Sequence, residues 1–344
     1  MKTTAAIDAT SRHDGRRSAF FIKLLVLSVA LVALLVFSAI FGSLKVGVVQ
    51  FLTGLFNGKD DLVNAIIDLR FPRILISVLA GAALACSGCL LQACLKNPLA
   101  DPGIIGVSGG AQFMDLLVGM LLPQLFFAKP LFSFLGGALG FGLVYVLSVR
   151  DGLKPLRIIL TGIAINAMFL GLVSGLKYFT GQLMGAAPGL SLVNINMKGW
   201  QDVGFLLTYI PAGLVAAFLC ARLCDLLLLE EKTVSGLGVR VGRIRFIVSI
   251  IAVFLASIAS SIVGIISFLA LIVPHLARTL VGNAHRRLLP FASLLGAFIF
   301  LFFDTLGRTV FAPVEVPASI FMMVIGGPVF ILLFRKGDRI GYGK

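Results

Sequence analysis

The side chains that could do chemistry in this chain are few and scattered. The three histidines (His13, His275 and His285) lie far apart, and no H-E-x-x-H or G-x-S-x-G pattern occurs. A hydrolytic or metal-dependent enzyme needs a nucleophile beside a base, or clustered metal ligands. We therefore predict no catalytic residue, no metal site and no cofactor.

The cysteines offer one redox-like motif, Cys86-x-x-Cys89, with no histidine or carboxylate next to it in sequence. Cysteine inside a helix rich in alanine and glycine more often serves as a small apolar residue. All five cysteines lie inside or at the ends of apolar runs, so we predict no disulfide framework; they are Cys86, Cys89, Cys94, Cys220 and Cys224.

Energy coupling leaves two possibilities open. The chain has no G-x-x-x-x-G-K-[ST] phosphate loop, so an ATP-driven transporter would need its ATPase on another polypeptide. An ion-coupled secondary transporter would instead place an ionisable group within the membrane. Asp115 is the only carboxylate that lies within a predicted span and away from its ends, and we name it as a candidate residue of a transport pathway.

The composition is that of a polytopic α-helical membrane protein. Of the 344 residues, 59% are hydrophobic and 13% are charged, whereas soluble domains contain about 25% charged residues. The net charge of +14 is not accompanied by a basic stripe or an aromatic platform, which excludes nucleic acid as a partner. Membrane lipid is the expected surrounding.

Ten apolar runs predict about ten transmembrane helices, and spans 2–5 and 7–10 could form two inverted halves. The predicted spans are 20–42, 74–95, 103–122, 130–149, 158–179, 204–224, 246–265, 268–282, 289–307 and 317–334.

The basic residues predict the orientation of these spans. With the N-terminus inside, 21 of the 29 Lys and Arg residues fall in cytoplasmic segments, as the positive-inside rule requires. We expect a cytoplasmic tail over 1–19, a membrane domain over 20–335 with its longest internal loop at 225–245, and a cytoplasmic tail over 336–344.

A short polar segment rich in proline and glycine separates the second and third apolar runs. Asp101 can cap a helix start, and Pro102 suits the first turn because its missing N–H is not needed there. Gly106 and Gly110 stand four residues apart, which predicts a small-residue face for close packing against a neighbouring helix.

This segment, Asn97-Pro98-Leu99-Ala100-Asp101-Pro102-Gly103-Ile104-Ile105-Gly106-Val107-Ser108, closely resembles the signature of the FecCD-type permease subunits of iron–siderophore, haem and vitamin B12 ABC importers. The resemblance covers roughly residues 65–335. It continues in Arg70-Phe71-Pro72-Arg73, Gly81-Ala82-Ala83-Leu84-Ala85, Leu237-Gly238, Pro274-His275-Leu276-Ala277-Arg278, Asp304-Thr305-Leu306-Gly307-Arg308 and Glu315-Val316-Pro317.

The resemblance implies a homodimer, or a pair with a close paralogue, that carries two cytoplasmic ABC ATPase subunits and receives an extracytoplasmic substrate-binding protein. It implies that Arg70, Arg73 and Arg308 dock the binding protein as exposed external cations. It also implies that the internal loop seats in the ATPase through Ser235, Gly236, Leu237 and Gly238.

The predicted function is therefore that of a permease for an iron chelate, siderophore or haem, with vitamin B12 less favoured and an ion-coupled secondary transporter as the alternative. The predicted location is the bacterial cytoplasmic membrane, with both termini inside. His275 lies in a motif that the family carries for every substrate, so we interpret Pro274, His275 and Arg278 as structural and expect a hydrogen-bonded histidine rather than a haem ligand. The ligand itself stays open.

Overall fold

The computed structural model describes residues 2–41, 61–148, 155–184, 198–310, 312 and 314–337, and every regular element in these ranges is helical. A 3-10 turn at Pro123–Ala128 joins α3 to α4. The α-helices are α1 Lys2–Ile40, α2 Asp61–Cys94, α3 Val107–Leu121, α4 Lys129–Ser148, α5 Pro155–Met184, α6 Trp200–Leu219, α7 Ala221–Leu227, α8 Glu231–Gly236, α9 Val241–Val263, α10 Leu269–Val281, α11 His285–Thr309 and α12 Ala318–Gly337.

Seven of these helices are long and apolar enough to cross a membrane: α1, α2, α4, α5, α6, α9 and α11. Three shorter apolar helices, α3, α10 and α12, coincide with the remaining predicted spans. The predicted all-helical class is confirmed, and each of the ten apolar runs contains a helix.

Helix α2 lies at the centre of the molecule and packs against α6, α9, α10 and α11. Its apolar window is 83% buried, whereas that of α1 is 11% buried. Small residues allow this crowding: Gly81 meets the backbone of α11 at Gly296, and Gly88 meets the backbone of α10 at Ala270. On a third side, Ser87 Oγ donates a hydrogen bond to the carbonyl of Ala252 in α9, 2.7 Å away.

The small-residue face predicted for the third span is confirmed. A Cβ on Gly110 would collide with the carbonyl of Gly136, and a Cβ on Gly140 would collide with the carbonyl of Gly106. Helices α3 and α4 therefore pack backbone to backbone, as small residues permit in membrane bundles.

Two predicted boundaries are wrong for local reasons. Helix α3 begins at Val107 rather than at 103, because Gly106 adopts a left-handed conformation (φ +82°) just before it. The predicted span 204–224 is divided, because α6 ends at Leu219 and α7 begins at Ala221.

Polar contacts hold several helix ends on one side of the bundle. Lys23 Nζ donates to the carbonyl of Leu280 at the end of α10 (2.7 Å), where a cation suits the helix dipole. Asp225 Oδ1 accepts hydrogen bonds from the backbone N–H of His285 and lies 2.8 Å from its Nδ1. The first contact joins the end of α10 to α1, and the second holds the start of α11 beside α7.

Candidate functional site

A cavity of about 650 Å³ lies between α5, the α2–α3 turn, the α9–α10 connection and α12. One face of α5 forms its longest wall, with residues at the spacing of successive helical turns. The lining residues are Asp101, Gly103, Ile104, Gln112, Ile163, Asn166, Ala167, Leu170, Val173, Ser174, Lys177, Val263, Gly264, Ile265, Ser267, Phe268, Leu271, Ser319 and Met323.

This cavity combines apolar walls with neutral polar groups. Amides and hydroxyls come from α3, α5, the α9–α10 connection and α12, and within the lining Asp101 and Lys177 carry the charges. Helix α5 contributes this surface because, among the described elements, it packs mainly against α3 and α4, and 22% of its apolar window is buried. A wide passage with few charged groups can let a bulky ligand pass without holding it.

The signature turn places Asp101 at one end of the cavity. Asn97 Oδ1 accepts the N–H of Leu99 at 2.9 Å, and Asp101 Oδ1 accepts the N–H of Gly103 at 2.7 Å. Asp101 therefore closes a turn ahead of the helix instead of capping α3, which corrects the predicted cap. Pro98 and Pro102 fit this irregular segment because neither can donate a backbone hydrogen bond.

The Asp101 carboxyl is 2% exposed, and its second oxygen, Oδ2, has no hydrogen-bond partner among the described residues. Burial raises the pKa of this carboxyl to about 6, and hydrogen bonds from the N–H groups of Gly103 and Ile104 oppose the rise. Asp101 thus titrates near neutral pH at the wall of the cavity.

The structure does not place Asp115 at the cavity. Its carboxylate pairs with Lys129 at 3.5 Å, at the start of α4. Gln112, about one helical turn earlier, lines the cavity, whereas Asp115 is not among its lining residues. A role of Asp115 in the transport pathway stays a prediction.

The three arginines predicted to be exposed cations are buried, with 4–6% of their surface exposed. Arg73 donates from Nε to both oxygens of Asp304 (2.9 and 3.1 Å) and from a terminal nitrogen to Glu315 (2.6 Å). Arg308 pairs with the same Asp304 at 3.3 Å and contacts Ser38. The expectation of exposure is wrong, because this chain supplies its own carboxylates to Arg73 and Arg308 and backbone carbonyls to Arg70.

Arg70 has a different position in this charged cluster. It donates to the carbonyls of Ala39 and Ile40 at 3.1 and 3.3 Å, at the C-terminal end of α1. Cationic side chains commonly satisfy the last carbonyls of a helix in this way. Glu315 is the accessible member of the cluster, with 31% of its side chain exposed.

The predicted coupling loop forms a short helix and a tight turn. Within α8, Val234 is 1% exposed and anchors the segment, while Leu237 directly after it is 64% exposed. Gly238 adopts φ +74°, a conformation that glycine accepts without strain. Arg245 of α9 pairs with Glu231 and ties α8 to the bundle.

The motif in α10 is structural only in part. Arg278 donates to Gln92 of α2, and Gln92 in turn donates to the carbonyl of Ala270. For His275 the described residues supply no hydrogen-bond partner, so the expected hydrogen-bonded histidine is found elsewhere, at His285. Sequence reasoning missed His285 because its partner, Asp225, is 60 residues away.

The comparisons with known proteins agree with these features. The model of the FecCD transport family matches residues 30–336. The probable heme-iron transport system permease proteins IsdF of Staphylococcus aureus strains RF122 and Newman are each 39% identical over 315 residues, which cover 92% of this chain and 96% of the relative.

Solved structures share the fold. An inward-facing metal-chelate type ABC transporter matches with a TM-score of 0.75 and 31% identity, over 91% of this chain and 98% of the other. PsaBC of Streptococcus pneumoniae shares the fold at 16% identity, with a TM-score of 0.56. The family resemblance seen in the sequence is thereby confirmed, and this chain belongs to the FecCD transport family.

Proposed function

We propose that this chain is the membrane-spanning subunit of an ABC importer and that an iron chelate passes through the cavity beside α5. The observation that carries the proposal is a cavity of about 650 Å³ lined mainly by apolar and neutral polar side chains. The names of the relatives, a heme-iron permease and a metal-chelate type ABC transporter, favour haem or another iron chelate.

We infer a homodimer, or a pair with a close paralogue, in which ten helices of each subunit cross the cytoplasmic membrane. Helices α5 and α12 line the cavity yet each packs mainly on one side. A second copy across a two-fold axis would close the open side. The positive-inside rule supports an orientation with both termini in the cytoplasm.

The loop 225–245 is proposed as the site of contact with a separate ATPase. Leu237 is an exposed apolar side chain on a segment anchored by buried Val234, and exposed apolar residues beside polar ones mark interaction surfaces. Ser235, Gly236 and Gly238 complete this segment, and no neighbouring atom lies within 4 Å of the Cβ position of either glycine.

Docking of a binding protein is proposed at the opposite side, around Arg70, Arg73 and Arg308. Because these arginines are buried, direct steering by exposed cations is not the mechanism. The cluster instead holds the ends of α1, α2 and α11 together and presents Glu315 at its edge. A binding protein would contact the surface formed by the ends of α1, α2 and α11, which this cluster holds in place.

An ion-coupled secondary transporter is the second candidate, and one observation favours it. Asp101 is a buried carboxyl with a raised pKa at the cavity wall, which is the kind of group that a proton-coupled carrier uses. The family match argues for ATP as the energy source.

Uptake by proteoliposomes that contain this chain, its ATPase and its binding protein distinguishes the two candidates. We expect uptake of iron protoporphyrin IX or a ferric hydroxamate to require ATP and to survive an ionophore that collapses ion gradients. The Asp115→Asn variant should retain most of this transport. Uptake that persists without ATP and stops with the ionophore would establish the secondary transporter.

A further inference from the structure

The two charged residues of the cavity lie at opposite ends of it. The turn that holds Asp101 packs on α5 at Gly162, whose Cβ position lies 2.8 Å from the carbonyl oxygen of Ile104. Lys177 lies further along the same helix, about 22 Å away at a rise of about 1.5 Å per residue. The cavity therefore has a carboxyl group at one end and a cation at the other.

Lys177 has no carboxylate partner in the described part of the chain. Two other lysines do form ion pairs. Lys129 pairs with Asp115 and Lys198 pairs with Asp202. The sequence of residues 185–197, which follows α5, contains no aspartate or glutamate. Among the described residues, no carboxylate neutralises Lys177, and an anionic group that enters the cavity could pair with it.

The walls between the two charges suit an apolar body. Leu170 and Val173 of α5 face the same cavity as Phe268, Leu271 and Met323. Burial of apolar ligand surface against these side chains would be favourable. A ligand with an apolar body and an anionic edge would match both features of this cavity.

We propose that the cavity takes an amphipathic metal chelate with carboxylates on one edge and that Lys177 receives those carboxylates. This inference rests on the proposed function and narrows its substrate class. In the proposed orientation Lys177 lies toward the outer side and Asp101 toward the cytoplasm. Lys177 attracts the anionic edge of the ligand where it enters the cavity. The carboxylate of Asp101 repels the same edge at the other end, so the ligand is not retained there.

The test is direct binding to the permease–ATPase complex in lipid nanodiscs, without a binding protein. Iron protoporphyrin IX carries two propionates, and its dimethyl ester has the same ring without the charges. Titrations followed by absorbance, with empty nanodiscs subtracted, should show a preference for the free acid of about tenfold, as one charge-assisted hydrogen bond provides.

The Lys177→Gln variant should lose this preference, and Lys177→Arg should keep it. Lys198→Gln is the matched control, because Lys198 pairs with Asp202 and does not line the cavity; it should behave as the wild type. Equal melting temperatures of the complexes would show that the variants fold.

Three results would overturn the inference: wild-type protein that binds both porphyrins equally, no saturable binding of either, or an unchanged preference in Lys177→Gln. The proposed function has its own readout, since ATP-driven uptake by the wild type is measured separately. Uptake without a porphyrin preference would reject the charge site and leave the importer assignment standing.

Discussion

At the scale of single residues, the main finding is that the charged groups near the ends of the helices satisfy one another. Asp304 is 1% exposed in its side chain, accepts hydrogen bonds from Arg73 and forms an ion pair with Arg308 at 3.3 Å. An ion buried away from water is costly unless it is paired and hydrogen-bonded. Removal of one member is therefore expected to harm the fold rather than a surface contact alone.

We predict that Arg73→Ala lowers the free energy of unfolding by about 3–5 kcal/mol. The substitution removes one of the two arginines that pair with buried Asp304, and it also removes the ion pair between Arg73 and Glu315. Thermal unfolding of the purified chain in detergent measures this. Glu231→Ala is the control: it removes a pair in which Glu231 is 58% exposed and should cost at most about 1 kcal/mol. Equal effects would contradict the role assigned to burial.

A second residue-scale prediction concerns Asp101, in the turn between α2 and α3. Because its pKa is raised to about 6 in the folded state, the folded chain holds this proton more tightly than the unfolded chain. The stability that the protonated carboxyl contributes is present at pH 4 and is lost as the pH rises through about 6.

The melting temperature of the wild type should therefore fall between pH 4 and pH 7 by more than that of Asp101→Asn, which cannot titrate. Since other carboxylates titrate in the same range, the difference between the two profiles is the quantity to measure. Parallel profiles would show that Asp101 does not carry a raised pKa.

At the scale of elements, glycine decides how closely helices approach. The α3–α4 contact brings two backbones together at Gly106–Gly140 and at Gly110–Gly136. Small residues are favoured in such contacts because association inside a membrane depends on packing rather than on the hydrophobic effect. The cavity wall depends on this contact, since α3 and α4 support α5.

We predict opposite outcomes for two alanine substitutions on α4. Gly140→Ala should destabilise the chain by about 1–3 kcal/mol, because its methyl group would collide with the backbone of Gly106. Gly142→Ala meets no atom within 4 Å and should stabilise the helix slightly, by about 0.5–1 kcal/mol. Thermal unfolding compares them, and similar melting temperatures would reject the close-packing argument.

At the scale of the whole molecule, the described helices form a buried centre with a cavity beside it and an exposed apolar side chain, Leu237, directly after α8. Helix α2 and its neighbours form the rigid centre, while α5 and α12 border the cavity. The segment after α8 projects Leu237 on one side. This arrangement fits a subunit that transmits a contact made at one face to a passage within the bundle.

We predict that Leu237→Asp abolishes binding of the ATPase subunit and leaves the chain folded, because the side chain is 64% exposed and contributes to a contact rather than to the core. Co-purification and the melting temperature of the isolated chain are the two measurements. Val234→Asp, at a position that is 1% exposed, should instead destabilise the chain. Normal ATPase binding by Leu237→Asp would exclude this segment as the contact.

The sequence by itself determined the helical membrane class, the position of each apolar helix, the close packing at Gly106 and Gly110, and the family. These features depend on local composition and on short motifs that act within a few turns of one helix. The spacing of apolar residues indicates where the helices lie, and proline and glycine indicate where they begin or end.

Only the tertiary structure decided which charged groups meet. Arg73 pairs with Asp304 and Glu315 across 231 and 242 residues, so no local pattern distinguished a buried cluster from three exposed arginines. The same holds for the cavity, whose wall includes Gln112 and not Asp115 and whose Lys177 has no carboxylate partner among the described residues. Burial and pairing depend on how helices rotate against one another, and that rotation is set by contacts between distant parts of the chain.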